Sequence, residues 1–193
     1  MTVIKDGSGT GFLAKVGAGN DLHVLATVFA EISAASGEGA AFEAEGETTI
    51  TAATEKTVLL MINDGDDALE IGNIFISIKN DTVGIITVVK MYIGQATHTA
   101  GGTEKAAKNL NTGSVNTPEV QLYEDNPTVG GTDTKILELY FQLGDGSNET
   151  IPFDGGISLA KNGSFRVTVT GGAGASGTLT CDSSFQFWLE RDI

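Results

Sequence analysis

The feature that most constrains this chain is a succession of short apolar stretches, each closed by a cluster of turn residues, from residue 57 onward. TVLLMI (57–62) is apolar throughout and reads as a strand buried on both faces. NDGDD follows as a tight turn in which Gly65 can take positive φ. NIFISIK then sends Ile74, Ile76 and Ile78 to one face and Phe75, Ser77 and Lys79 to the other. IITVVKMYI (85–93) is dense in β-branched residues. These three pieces predict a meander of consecutive antiparallel strands.

The pattern recurs further along. TKILELYFQL (134–143) points Leu137, Leu139, Phe141 and Leu143 one way and Ile136, Glu138, Tyr140 and Gln142 the other. Ile157 and Leu159 mark another strand, SFRVTV turns Phe165, Val167 and Val169 inward, and Phe185, Phe187 and Leu189 share a face opposite Trp188. No long helical period appears. The 26 glycines and three prolines fall mainly in turns and loops. Eight to ten short strands with Gly-rich turns predict an all-β fold, an antiparallel, jelly-roll-like sandwich. The polar stretch 94–118 interrupts the series and reads as a crossover or projecting loop, with a short helix-friendly patch from Glu104 to Leu110.

The first 45 residues differ. LHVLATVFAEI alternates like a strand, but SAASGEGAAFEAEGE after it is small, weakly apolar and broken by Gly37 and Gly39. Residues 1–45 therefore read as an extended arm and linker, and 46–193 as the sandwich. An apolar arm outside a core needs a surface to pack on, and a neighbouring subunit supplies one by strand addition or swapping.

Charge and composition exclude several classes. With 25 acidic and 11 basic residues the net charge is −14, so no basic stripe exists for nucleic acid. No run of 18 apolar residues spans a membrane, and residues 1–30 lack the basic-then-apolar pattern of a signal peptide, so synthesis in a cytoplasm is expected. Cys181, the single cysteine, alternates with Leu179 and reads as a small buried side chain.

Known chemical motifs fail on context. Gly9, Gly11 and Ala14 fit a G-x-G-x-x-A spacing, but Gly17 and Gly19 follow, and no helix N-terminus is available to hold a phosphate. The turns Asp64-Gly65-Asp66-Asp67 and Asp145-Gly146-Ser147-Asn148 lack the Ca²⁺-loop spacing. His23 and His98 show no zinc spacing; His98 reads as solvated in a polar loop and His23 as a surface or interface residue. No nucleophile elbow or HExxH occurs, and no two acids stand out as a glycosidase pair; Glu138 reads as a solvent-facing acid. Neither a cofactor nor a metal is expected, nor is catalysis. Tyr92, Tyr123, Tyr140 and Trp188 fall opposite the apolar faces and form a candidate subunit interface or glycan platform.

The opening IKDGSGTGFLAKV, continued by NDLHV, resembles the N-terminal stretch of structural proteins of tailed-bacteriophage virions. The shared pattern is a short strand, a D-G-x-G-x-G turn (Asp6, Gly7, Gly9, Gly11), an A-K-V triplet (Ala14, Lys15, Val16) and an L-x-V (Leu22, His23, Val24). NLNTGS (109–114) is similar to a phrase common in such proteins. The resemblance covers about 25 residues and implies a virion location. It implies a decoration, head-fibre or tail protein with a β-sandwich body, a trimer bound to the major capsid protein or other virion proteins. On that reading the arm grips capsid or sister subunits through Ile4, Lys5, Phe12, Leu13, Lys15, Val16, Leu22, Val24 and Phe29. A carbohydrate- or receptor-binding module is the alternative.

Overall fold

A computed structural model describes residues 35–51, 53–80, 86–142, 147–153, 156–171 and 178–189, with two short strands before them. The chain divides into two compact units, residues 1–30 and 31–193. In the first, β1 (Lys15–Val16) pairs antiparallel with β2 (Leu22–His23).

In the second unit the described strands are β3 (Ala41–Ile50), β4 (Glu55–Asn63), β5 (Leu69–Asn80), β6 (Ile86–Ala100), β7 (Thr103–Lys105), β8 (Lys108–Asn109), β9 (Val120–Glu124), β10 (Thr128–Gln142), β11 (Ser147–Ile151), β12 (Ile157–Leu159), β13 (Ser164–Thr170) and β14 (Leu179–Leu189). They form two antiparallel sheets, ordered β10-β6-β13-β4-β9-β7 and β11-β5-β14-β3-β8, with β12 also paired to β5. Set aside the short β7, β8 and β9, and β4-β13-β6-β10 faces β3-β14-β5-β11/β12. From β3 to β6 the chain changes sheet at every step. This is the two-Greek-key order of a jelly roll, as the sequence predicts.

The meander is corrected. β4 and β6 lie in one sheet, separated by β13, and β5 lies in the other. A hairpin of β4 and β5 would set their apolar faces side by side and leave both open. Placed in facing sheets, Leu59 and Met61 of β4 and Ile74, Ile76 and Ile78 of β5 join one core, each at most 1% exposed.

That core is held across the layers by aromatic rings. Phe165 on β13 meets Phe185 on β14 edge-on, with centroids 5.2 Å apart at 75°. Within the second sheet Phe42 of β3 stacks on its β14 partner Phe187 at 5.5 Å. Val167, Val169 and Cys181 are buried beside them, and burial pushes the Cys181 thiol up to about 12.

Two boundaries move. β3 begins at Ala41 and pairs with β14 along its whole length, so residues 41–45 belong to the sandwich and not to the arm. Before it, residues 35–37 form one helical turn that Gly39 (φ 73°) closes, with the Ala40 N–H donating to Ala35 O. β6 runs on to Ala100, so residues 94–100 are strand and not loop, while Glu104 and Lys105 sit in β7 instead of a helix. β10 pairs with six of those seven residues, Thr99 alone being skipped, which sustains a strand whose own composition is polar.

One corner pins the sheets together. At Gly46 of β3 an added Cβ would lie 2.9 Å from Val58 O and 3.0 Å from Leu59 Cδ1, both on β4. The turn after β9 locks the same corner. Asp125 and Asn126 take left-handed φ of 54° and 61°. The Asp125 N–H donates to Glu47 O, the Asn126 N–H to Thr57 O and the Thr57 N–H to Asn126 Oδ1. Gly46→Val has to part the two strands and should cost about 1–3 kcal/mol in urea unfolding, whereas the same change at open Gly37 should cost less.

Candidate interaction surfaces

Of the residues predicted for the arm, Lys15 and Val16 lie in β1 and Leu22 in β2. Ile4, Lys5, Phe12, Leu13, Val24 and Phe29 lie outside the described residues.

The four aromatic residues do not form a platform. Trp188 is on the sheet opposite the three tyrosines and only 7% exposed. It packs on Gly72, where a Cβ would come within 2.9 Å of its ring. The lone glycine inside LEIGNIF was the available signal for that close approach. Tyr92 lies beneath Arg166, whose Cζ is 4.3 Å from the ring centroid, and its hydroxyl donates to Glu55. Tyr123 is covered by His98, with centroids 3.7 Å apart. His98 is thus not solvated in a loop: it sits on β6, and its Nε2 lies 2.8 Å from Gly101 O. Tyr140 alone among the four stays open, at 68%.

On the outer face of the β10-bearing sheet, charges are paired across strands. Glu55 of β4 takes hydrogen bonds from Lys90 of β6 at 2.6 Å, Tyr92 of β6 at 3.0 Å and Thr168 of β13 at 2.8 Å. Burial pushes the Glu55 carboxyl up, but these three donors together hold it below its usual value. Arg166 of β13 grips Asp133 of β10 through Nε and Nη2 at 2.7 and 2.6 Å. No sequence motif marks this network, because its members come from four strands distant in the chain.

β10 is the edge of this sheet. Among the described residues it pairs with β6 on one side and with nothing on the other. The alternation read from the sequence breaks within it. Lys135 pairs with Tyr92 and Leu137 with Met91, so Ile136 is an extra residue, a β-bulge. Before the bulge Asp133 and Lys135 point outward; after it Glu138 and Tyr140 do. Glu138 accepts hydrogen bonds from Lys135 and Tyr140, so it is partnered rather than merely solvated. Ile136 is 36% exposed.

The other sheet carries a groove of about 570 Å³, lined by Glu45, Glu47, Phe75, Asn148, Asp182 and Ser184 among others. Glu47 and Asp182 are cross-strand neighbours. A hydrogen bond to Asp182, then the charge of Asp182, raises the Glu47 carboxyl above its ordinary 4.5. Among the described residues no group of three or more His, Cys, Asp or Glu side chains is placed to hold a metal ion.

The raised Glu47 gives a signed pH dependence. Its contribution to stability is complete below the unfolded-state value and is lost as pH rises through the folded value. Glu47→Gln should therefore raise Tm at neutral pH, and this gain should vanish by about pH 4. Thermal melts across that range check it.

No family model matches the chain and no curated protein matches it. Among solved structures, a subunit of the disulfide-linked pili of Bacillus endospore appendages is 14% identical over 87% of this chain and 100% of its own, at a TM-score of 0.32. Turnip yellow mosaic virus gives 10% identity over 94% and 92% at 0.27, and the Israeli acute paralysis virus particle 10% over 98% and 79% at 0.32. Similarity this low says nothing of this chain's role.

Proposed function

We propose that the chain is a non-enzymatic structural component of a phage virion, an auxiliary capsid or decoration protein held to the particle by its N-terminal arm. The observation that carries this is the opening stretch, Asp6-Gly7 through Val24, whose residues resemble virion structural proteins and fall in a compact unit separate from the sandwich. The jelly-roll order is compatible with it, since capsid proteins use that fold among many others. Such an arm gains affinity from main-chain pairing with its partner, and each of Phe12, Leu13, Val16, Leu22, Val24 and Phe29 adds about 1.5–3 kcal/mol where fully buried. Many copies on one particle add avidity. The trimer that the resemblance implies belongs to this proposal. The glycan-platform alternative loses its support, because Trp188 is buried and the rings of Tyr92 and Tyr123 are already covered.

Removal of residues 1–30 should leave a sandwich with the same cooperative melt that no longer joins particles when expressed during assembly. The double change Phe12→Asp and Val16→Asp should do the same in the full chain. Purified virions probed for each variant decide it: normal incorporation of either one sinks the arm as anchor.

A further inference from the structure

Among the described residues the outer edge of β10 is unpaired, and it is complementary to itself. We propose that it joins two copies of this chain across a two-fold axis, the two β10 strands running antiparallel with their bulges face to face. This contact is made by the sandwich and does not depend on the reading above.

An edge strand offers a row of N–H and C=O groups that another strand can complete. The outward charges of β10 restrict which strand that is. Outward residues are odd-numbered before Ile136 and even-numbered after it, because the extra residue resets the alternation. The straight strand β6 absorbs the extra residue and stays in phase with β10 on both sides of the bulge, so a strand on the open edge can do the same. A second β10 carries the same reset. In one register both strands reset together, with Ile136 opposite Leu137 of the second copy.

That register also aligns chemistry. Lys135 falls opposite Glu138 of the second copy, and Asp133 opposite Tyr140, all on the outer face. Thr134 falls opposite Leu139 on the inner face, where Leu137 and Leu139 already pack on the core. Shifting the partner one step of face-matched register in one direction sets Asp133 against Glu138, like charge on like. Shifting it the other way sets Glu138 against Glu138 of the second copy, again like on like. Two-fold symmetry makes every pair occur twice, and exposed Ile136 and Tyr140 are covered. Each copy carries −14 overall, so association needs local charge matching of this kind.

The test uses the full chain and two variants, Lys135→Glu and Glu138→Lys, with sedimentation equilibrium as the readout and circular dichroism as the check on folding. The unaltered chain should associate by twos, as a dimer or as a pair of the trimers proposed above. Each variant alone sets like charges opposite one another twice and should dimerise about tenfold more weakly. An equimolar mixture of the two variants should recover dimerisation, because each Glu of one then meets a Lys of the other. The internal Lys135–Glu138 pair stays broken in both chains of the mixture, so recovery comes only from across the contact. The proposal fails if the unaltered chain is monomeric throughout, if either variant self-associates as the unaltered chain does, or if the mixture does not recover.

Discussion

The edge-on contact of Phe165 with Phe185 is the point on which the sandwich depends. Their strands, β13 and β14, each lie inside a sheet and are consecutive in the chain, yet they face each other across the layers. A hairpin between β13 and β14 would have placed both rings on one sheet. Because they oppose instead, the chain has to cross between layers after β13, as it does after β3, β4 and β5. Burying both faces of one aromatic cluster, with Phe42 and Phe187 alongside, is what the alternating topology achieves. Gly46 and the Asp125–Asn126 turn then close the corner where β3 gives way to β4.

Most of this was legible where period-2 alternation is strong. Ile74, Ile76 and Ile78, then Phe165, Val167 and Val169, then Phe185 and Phe187, all face the core as the sequence indicates. Strand pairing was not legible. Alternation tells which face a residue shows but not which strand lies beside it, so three consecutive strands suggested a meander. Residues 94–100 were misread because they are sustained as strand by six paired positions on β10, whose residues 128–133 lie 28 to 39 residues further along the chain. The bulge at Ile136 leaves no mark in TKILELYFQL, whose alternation looks unbroken on paper. Trp188 faces away from the main core as expected, yet is buried by its fit over Gly72.

The surface features were less legible still, because each is assembled from separate strands. Glu55 became a hub only when β4, β6 and β13 were brought together, and Glu47 gained its neighbour Asp182 only through the β3–β14 ladder. The same assembly removes the supposed aromatic platform. Arg166 and His98 cover the very rings that the sequence left facing outward.

Charge completes the account of what the sandwich can bind. Seven ion pairs engage Lys79, Lys90, Lys105, Lys108, Lys135, Lys161 and Arg166 within the chain, and Lys56 donates to Thr49 O. Every described cation of the sandwich thus has an internal partner, while acids remain in excess. The field around it is negative and repels other copies at random orientations. Attachment then cannot rest on general electrostatic attraction to a like-charged neighbour. It has to come from backbone pairing and apolar burial at defined places, where sequence register sets the fit. The open edge of β10 meets that requirement in the register proposed above, where Lys135 meets Glu138 of the second copy and each neighbouring register sets like charges together.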